Sequence, residues 1–228
     1  MGSNRHFGTN VQAENVATRT VASTLGVLLG LSSMDHGLLE MMQGNLPTTG
    51  YWINAQGPGH SWSLWTQGGE PAFTLVHNFL LTGILAALVG LLLVFWSLRF
   101  IHRPHGPAVF LLLSVVSYLV GGGLAQVFLF TLNWLVATRI HSKLAFWRWL
   151  IPAKMRQTLG LLWRWAIAAG AIQFLAALEI AAIGYFPGLP RDLQIVYRVL
   201  LEIGAGILVA FVVSIVSAFA FDIEAQTS

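Results

Sequence analysis

Five apolar stretches, at about residues 18–43, 70–101, 107–137, 159–185 and 193–221, occupy most of this 228-residue chain and leave short polar segments between them. About 20 apolar residues is the length a helix needs to cross the hydrocarbon of a bilayer. Apolar residues make up 56% of the chain and charged residues 9%, with mean hydropathy +0.70. That leaves too little polar side chain to coat a soluble domain of this size. The expected fold class is therefore all-α: a polytopic integral membrane helix bundle forming a single transmembrane domain over residues 1–228.

The stretch 107–137 is interrupted near its middle by Gly121, Gly122 and Gly123, and two readings compete for it. One is a single long tilted helix, which gives five full spans. The other is a helical hairpin broken at the glycines, each arm covering only about 21 Å, beside four full spans. Charge favours the hairpin. Arg139, Lys143, Arg148, Lys154 and Arg156 follow the stretch, and the hairpin returns them to the side already marked by Arg99, His102 and Arg103. Basic loops collect on the cytoplasmic side, so the N-terminus, the basic interfacial segment 139–157 and the C-terminus are expected to be cytoplasmic. Residues 44–70 hold no Lys or Arg and carry Tyr51, Trp52, Trp62 and Trp65. They form the outer, Trp-bearing loop, expected to cap the helix ends.

Helix 1 is expected over about 18–43, ending at Gly44 and Asn45, and helix 2 opens at Glu70 and Pro71, an acidic residue and a first-turn proline suited to a helix start. Arg5 and Arg19 before the apolar run 21–31 superficially match a signal peptide. The apolar pattern resumes beyond Gly37, and the segment is expected to be retained. The net charge of +3 and a pI near 9.7 reflect basic residues flanking apolar spans, which points to membrane orientation rather than nucleic acid. No cysteine is present, which removes disulfides, thiolate metal sites and a cysteine nucleophile.

Ionisable side chains at membrane depth are costly and mark candidate functional sites. On helix 1, His36, Glu40 and Gln43 share a face by their i, i+4, i+7 spacing, while Asp35 points about 100 degrees away. Under the hairpin topology His36, His77, Glu179 and Glu202 all fall roughly 10 Å beneath the outer surface. His36, Glu40, His77 and Glu179 are the candidate ligands of a metal ion. His36 and His77 could instead hold a haem, with Gln126 beside the glycine break as a further cofactor-binding candidate. Each has a plainer reading. Glu202 lies four residues after Arg198 and could form an intrahelical ion pair, His77 could be an interhelical contact, and the glycines could serve close packing.

The chain carries no phosphate-binding loop, dinucleotide fingerprint, H-E-x-x-H motif or nucleophile elbow. Three functions stay open. The first is a membrane-embedded His/carboxylate site that binds or transports a small ligand, metal or protons. The second is a non-catalytic accessory subunit, whose partners beyond the lipid bilayer are other membrane subunits or a second copy of itself. An intramembrane enzyme ranks last, since no nucleophile accompanies the carboxylates.

Overall fold

The computed structural model describes residues 14–55, 70–124, 126–183, 188 and 192–227. Among them are eight helices and two short strands: α1 (Val16–Met42), β1 (Trp52–Ala55), β2 (Glu70–Phe73), α2 (Phe79–Arg99), α3 (Gly106–Leu119), α4 (Gln126–Ala137), α5 (Ala145–Leu150), α6 (Ala153–Gly160), α7 (Trp163–Ile183) and α8 (Leu193–Ala225). Three of these, α1, α2 and α8, are long and apolar enough to cross a membrane. A fourth crossing exists if α6 and α7, bent by 50° at their junction, count as one span. The expected count of four or five full spans is thus met only in part.

Helix α1 is the hub, packing against α2, α4, α7 and α8. Glycines let it approach α2 backbone to backbone in antiparallel register. A Cβ added at Gly37 would stand 2.5 Å from the Gly83 carbonyl oxygen, and one at Gly90 would stand 2.6 Å from that of Gly30. Close helix approach over small residues gains dispersion contact where lipid offers no hydrophobic driving force. Gly83 and Gly90 serve close packing here. The opposite face of α2 is apolar and exposed through Leu81, Leu85, Leu88, Leu92 and Phe95.

Helices α3 and α4 fold back on each other. The Phe110 and Phe130 rings lie 6.0 Å apart, and His141 Nε2 is 2.7 Å from the His102 carbonyl oxygen. A straight helix through the same residues would hold its ends about 45 Å apart. Gly121 and Gly123 take φ of +97° and +92°, a region that L side chains avoid. The break at the glycines is therefore a turn, and the long tilted helix is not formed.

Two expectations are corrected. The fold is mostly rather than wholly helical, because residues 70–73 pair as an antiparallel strand with 52–55 in place of starting helix 2. The helix starts at Phe79, where the Asn78 side chain accepts from the Leu81 amide at 3.0 Å. Asp222 and Glu224 belong to the last turns of α8. Trp52 is 59% exposed and sits edge-on to Phe73 at 5.4 Å. It therefore does not cover the helix ends, whereas Phe73 does, stacked on Tyr118 at 5.2 Å. Trp62 and Trp65 lie outside the described residues.

At the end away from the strands, a buried polar knot ties three helices. Asp222 accepts from the Ala17 amide (3.1 Å), the Thr18 amide (2.8 Å) and the Thr18 hydroxyl (2.6 Å), capping α1 from α8. Asn15 donates through Nδ2 to the Arg139 and Ser142 carbonyls beyond α4 and accepts from Gln226. The basic residues gather at this end. Partial burial and the charge of Arg19 hold His102 below the ordinary imidazole value, opposed by Glu14 and reinforced by Arg103 and His141.

Asp222→Ala should lower stability by about 2–4 kcal/mol, because it removes a helix cap and leaves buried amides without an acceptor. Asp222→Asn, which keeps one acceptor oxygen, should lose less. Unfolding midpoints of the purified protein in detergent measure both, and an unchanged midpoint for the alanine variant would show that the α1 cap is dispensable.

Candidate functional site

Near the strand end of α1, the polar residues of the bundle meet the turn between α3 and α4. Helix α1 presents Ser33, His36 and Glu40 toward this turn at near-helical spacing. A Cβ at Gly121 would collide with both Glu40 carboxylate oxygens, Oε2 lying 2.5 Å away. One at Gly123 would stand 2.7 Å from His36 Nε2 and 2.9 Å from Gln126 Nε2. Glycine is thus required twice over, for the positive φ and for the space that the two side chains occupy. His36 and Glu40 share a face of α1, as their spacing requires, and both are buried.

The backbone freed by the turn is held from two directions. Gly121 donates to the Phe73 carbonyl (3.0 Å) and Leu124 to that of Pro71 (3.1 Å), while Gly122 donates back to Ser117 (2.8 Å). Beneath the turn runs a buried chain of side chains. Gln126 donates to the Ser32 hydroxyl (2.9 Å) and accepts from Ser33 (3.0 Å), whose oxygen lies 2.9 Å from that of Ser117. Since the Ser33 proton goes to Gln126, Ser117 is the donor in that last contact. Small hydroxyls inside apolar runs give little sequence signal, and Ser32, Ser33 and Ser117 do not stand out in the chain for that reason.

Glu40 is the anomaly of the site. Its side chain is fully buried, and neither carboxylate oxygen has a hydrogen-bond partner among the described residues. Buried polar groups are nearly always paired, and an exception calls for a functional or structural account. Such a carboxyl can hold a proton or accept a donor brought in by a ligand.

A cavity of about 330 Å³ opens on the other side of His36. Ser32, Asp35, His36 and Gln126 form its polar wall, and Leu129, Phe174, Leu178 and Ile207 are among the apolar side chains that complete it. Asp35, about 100 degrees round the helix from the Glu40 face, is therefore a cavity residue. This size falls within the usual range of small-molecule sites, about 300–1,000 Å³.

The remaining candidates are not brought to this point. His77 is exposed on the segment between β2 and α2, its ring 4.9 Å from that of Tyr51. It lies off the helix and outside the bundle, so it does not face His36 across a haem site. Glu179 is half-buried on α7, but Phe174, Ala177 and Leu178 are the residues of that helix that line the cavity. Among the described residues no three His, Cys, Asp or Glu side chains converge as a metal ion requires. His36, Glu40, His77 and Glu179 therefore do not assemble into one centre. Glu202 is exposed, and no Arg198–Glu202 ion pair forms, the pair Arg19–Glu14 at 3.1 Å being the one found among the described residues.

No protein-family model matches the chain, and neither does any curated protein or solved structure.

The fit between Gly121 and Glu40 predicts energetic coupling. Gly121→Ala should destabilise wild type through both the collision and the left-handed φ, the latter by about 1–2 kcal/mol. In a Glu40→Ala background the same change should cost less by about 0.5–3 kcal/mol. A double-mutant cycle on unfolding midpoints reads this directly, and additive effects would mean that the loop does not rest on the carboxyl group.

Proposed function

We propose that the chain is an integral membrane protein that binds a small, largely apolar ligand with a hydrogen-bonding head in the cavity between α1, α4, α7 and α8. The cavity itself carries this reading, because four polar side chains stand along one wall of an otherwise apolar chamber, the usual composition of a ligand site. Ser32, Asp35, His36 and Gln126 are the polar side chains that would meet the head. Gln126 is committed to Ser32 and Ser33 and would hold the wall in place. Glu40 lies behind the glycine turn and would supply or take a proton without touching the apolar part of the ligand.

The long exposed rows of leucine on α2 and the apolar outer residues of α8, such as Leu201, Leu208 and Val209, support contact with lipid. The basic end faces the cytoplasm under the positive-inside bias. His36 then lies in the outer half of the bilayer, about 9 Å below the end of α1 at Met42.

Gly204 offers a selective test. It lines the cavity, and a Cβ built there meets no atom within 4 Å. Gly204→Leu should therefore fill the chamber with little change in the unfolding midpoint. Intact-complex mass spectrometry of wild type should show a bound non-protein mass that Gly204→Leu loses. Absence of any such mass from wild type, or its persistence in the variant, would remove the proposed site.

A second reading, an accessory subunit, draws on Glu202. This carboxylate is exposed on α8, one turn from the exposed Arg198 with which it forms no ion pair, about 14 Å from the start of that helix. A carboxylate facing lipid costs several kcal/mol, a cost that a donor on a partner helix would offset. Single-cysteine variants in native membranes check both the partner and the orientation. Ala205→Cys, one turn from Glu202, should cross-link to a second chain, and Lys143→Cys should be shielded from an impermeant reagent added outside. Monomeric Ala205→Cys would discard the subunit reading, and outside labelling of Lys143→Cys would reverse the topology.

A further inference from the structure

A second cleft, also of about 330 Å³, continues from the first along α4 and α8 toward the basic end. Leu129 and Leu208 belong to the upper cavity, and Leu132 and Val212, one turn further along the same two helices, belong to the lower cleft. Its walls are apolar, formed by Leu132, Leu135, Trp147, Val212 and Ile215, among others, while Arg139 stands at its basic end. Trp147 is fixed by Phe219 at 4.8 Å between ring centroids.

We propose that this cleft is a site for an anionic phospholipid, one acyl chain lying between α4 and α8 and the phosphate pairing with Arg139. Charge complementarity selects the occupant. From 139 to 164 the chain carries Arg139, Lys143, Arg148, Lys154, Arg156 and Arg164 with no Asp or Glu. Trp149 on α5 projects outward, 80% exposed, as aromatic side chains do at the headgroup level, and Phe146 of the same helix lines the cleft. Arg139 is exposed, its carbonyl is already fixed by Asn15, and its planar guanidinium can pair with two phosphate oxygens. A cleft near the lower limit of ligand-pocket volumes takes one chain and leaves the second in the bilayer. The site uses none of the residues that line the upper cavity, so it stands or falls separately from the ligand proposed there.

The test is retention of palmitoyl-oleoyl phosphatidylglycerol against the matching phosphatidylcholine by the full chain in mixed micelles, read by intact-complex mass spectrometry. Wild type should favour phosphatidylglycerol. Arg139→Gln should reduce that preference about fivefold, the weight of one basic residue at an anionic surface. Val212→Phe, which narrows the cleft without touching charge, should lower phosphatidylglycerol occupancy severalfold and keeps the test open if Arg139→Gln fails to fold. The proposal is overturned if wild type shows no preference, or if Val212→Phe binds as wild type does. It is equally overturned if Lys154→Gln, outside the cleft, reduces the preference as much as Arg139→Gln, because diffuse surface charge would then explain the binding.

Discussion

Every amide freed where a helix breaks inside an apolar bundle must find an acceptor, because no water is there to supply one. At the glycine turn the amides of Gly121 and Leu124 find theirs outside the hairpin, in the carbonyls of Phe73 and Pro71. The strand β2 and the turn it covers are therefore mutually dependent. If residues 70–73 were the first turn of α2, their carbonyls would be spent within the helix, and Gly121 and Leu124 would have lost their partners. The two strands are short, and a two-stranded ribbon alone is marginal in water. Here the ribbon is held by the turn beneath it and by Phe73 stacked on Tyr118.

Helix α1 transmits this arrangement through the molecule. Its glycine face meets α2, so the two backbones are fixed relative to each other over most of their length. Its first turn is capped by Asp222 of α8 rather than by its own sequence, since Asn15 makes no side-chain cap and is occupied with the carbonyls beyond α4. The hub is thus clamped at one end by charge and hydrogen bonds and at the other by the glycine turn, with the cavity between α1, α4, α7 and α8.

What the sequence made legible was local. Apolar length marked the three helices long enough to cross a membrane, three consecutive glycines marked the break, and helical spacing put His36 and Glu40 on one face. Pairing between distant residues was not legible. Glu70 and Pro71 carry a good signal for a helix start, and only the availability of β1 and the demand of the turn override it. Asp222 shows no partner in its own neighbourhood until α1, more than 200 residues earlier, supplies the amides that bury it. Estimated depth alone places His77 and Glu179 with His36, and depth says nothing about which way a side chain points. Glu40, by contrast, is a candidate metal ligand by its spacing from His36, and what it meets is the backbone of Gly121.

The division of labour along α1 follows from helical geometry. Ser33, His36 and Glu40 face the turn, while Ser32, Asp35 and His36 face the cavity, and successive residues on a helix differ by about 100 degrees. His36 belongs to both sets. Its Nε2 lies against Gly123, and its ring also forms part of the cavity wall. Glycines at 121 and 123, with no side chain of their own, leave both contacts direct, so the imidazole of His36 and the carboxyl group of Glu40 rest on the same three residues of backbone.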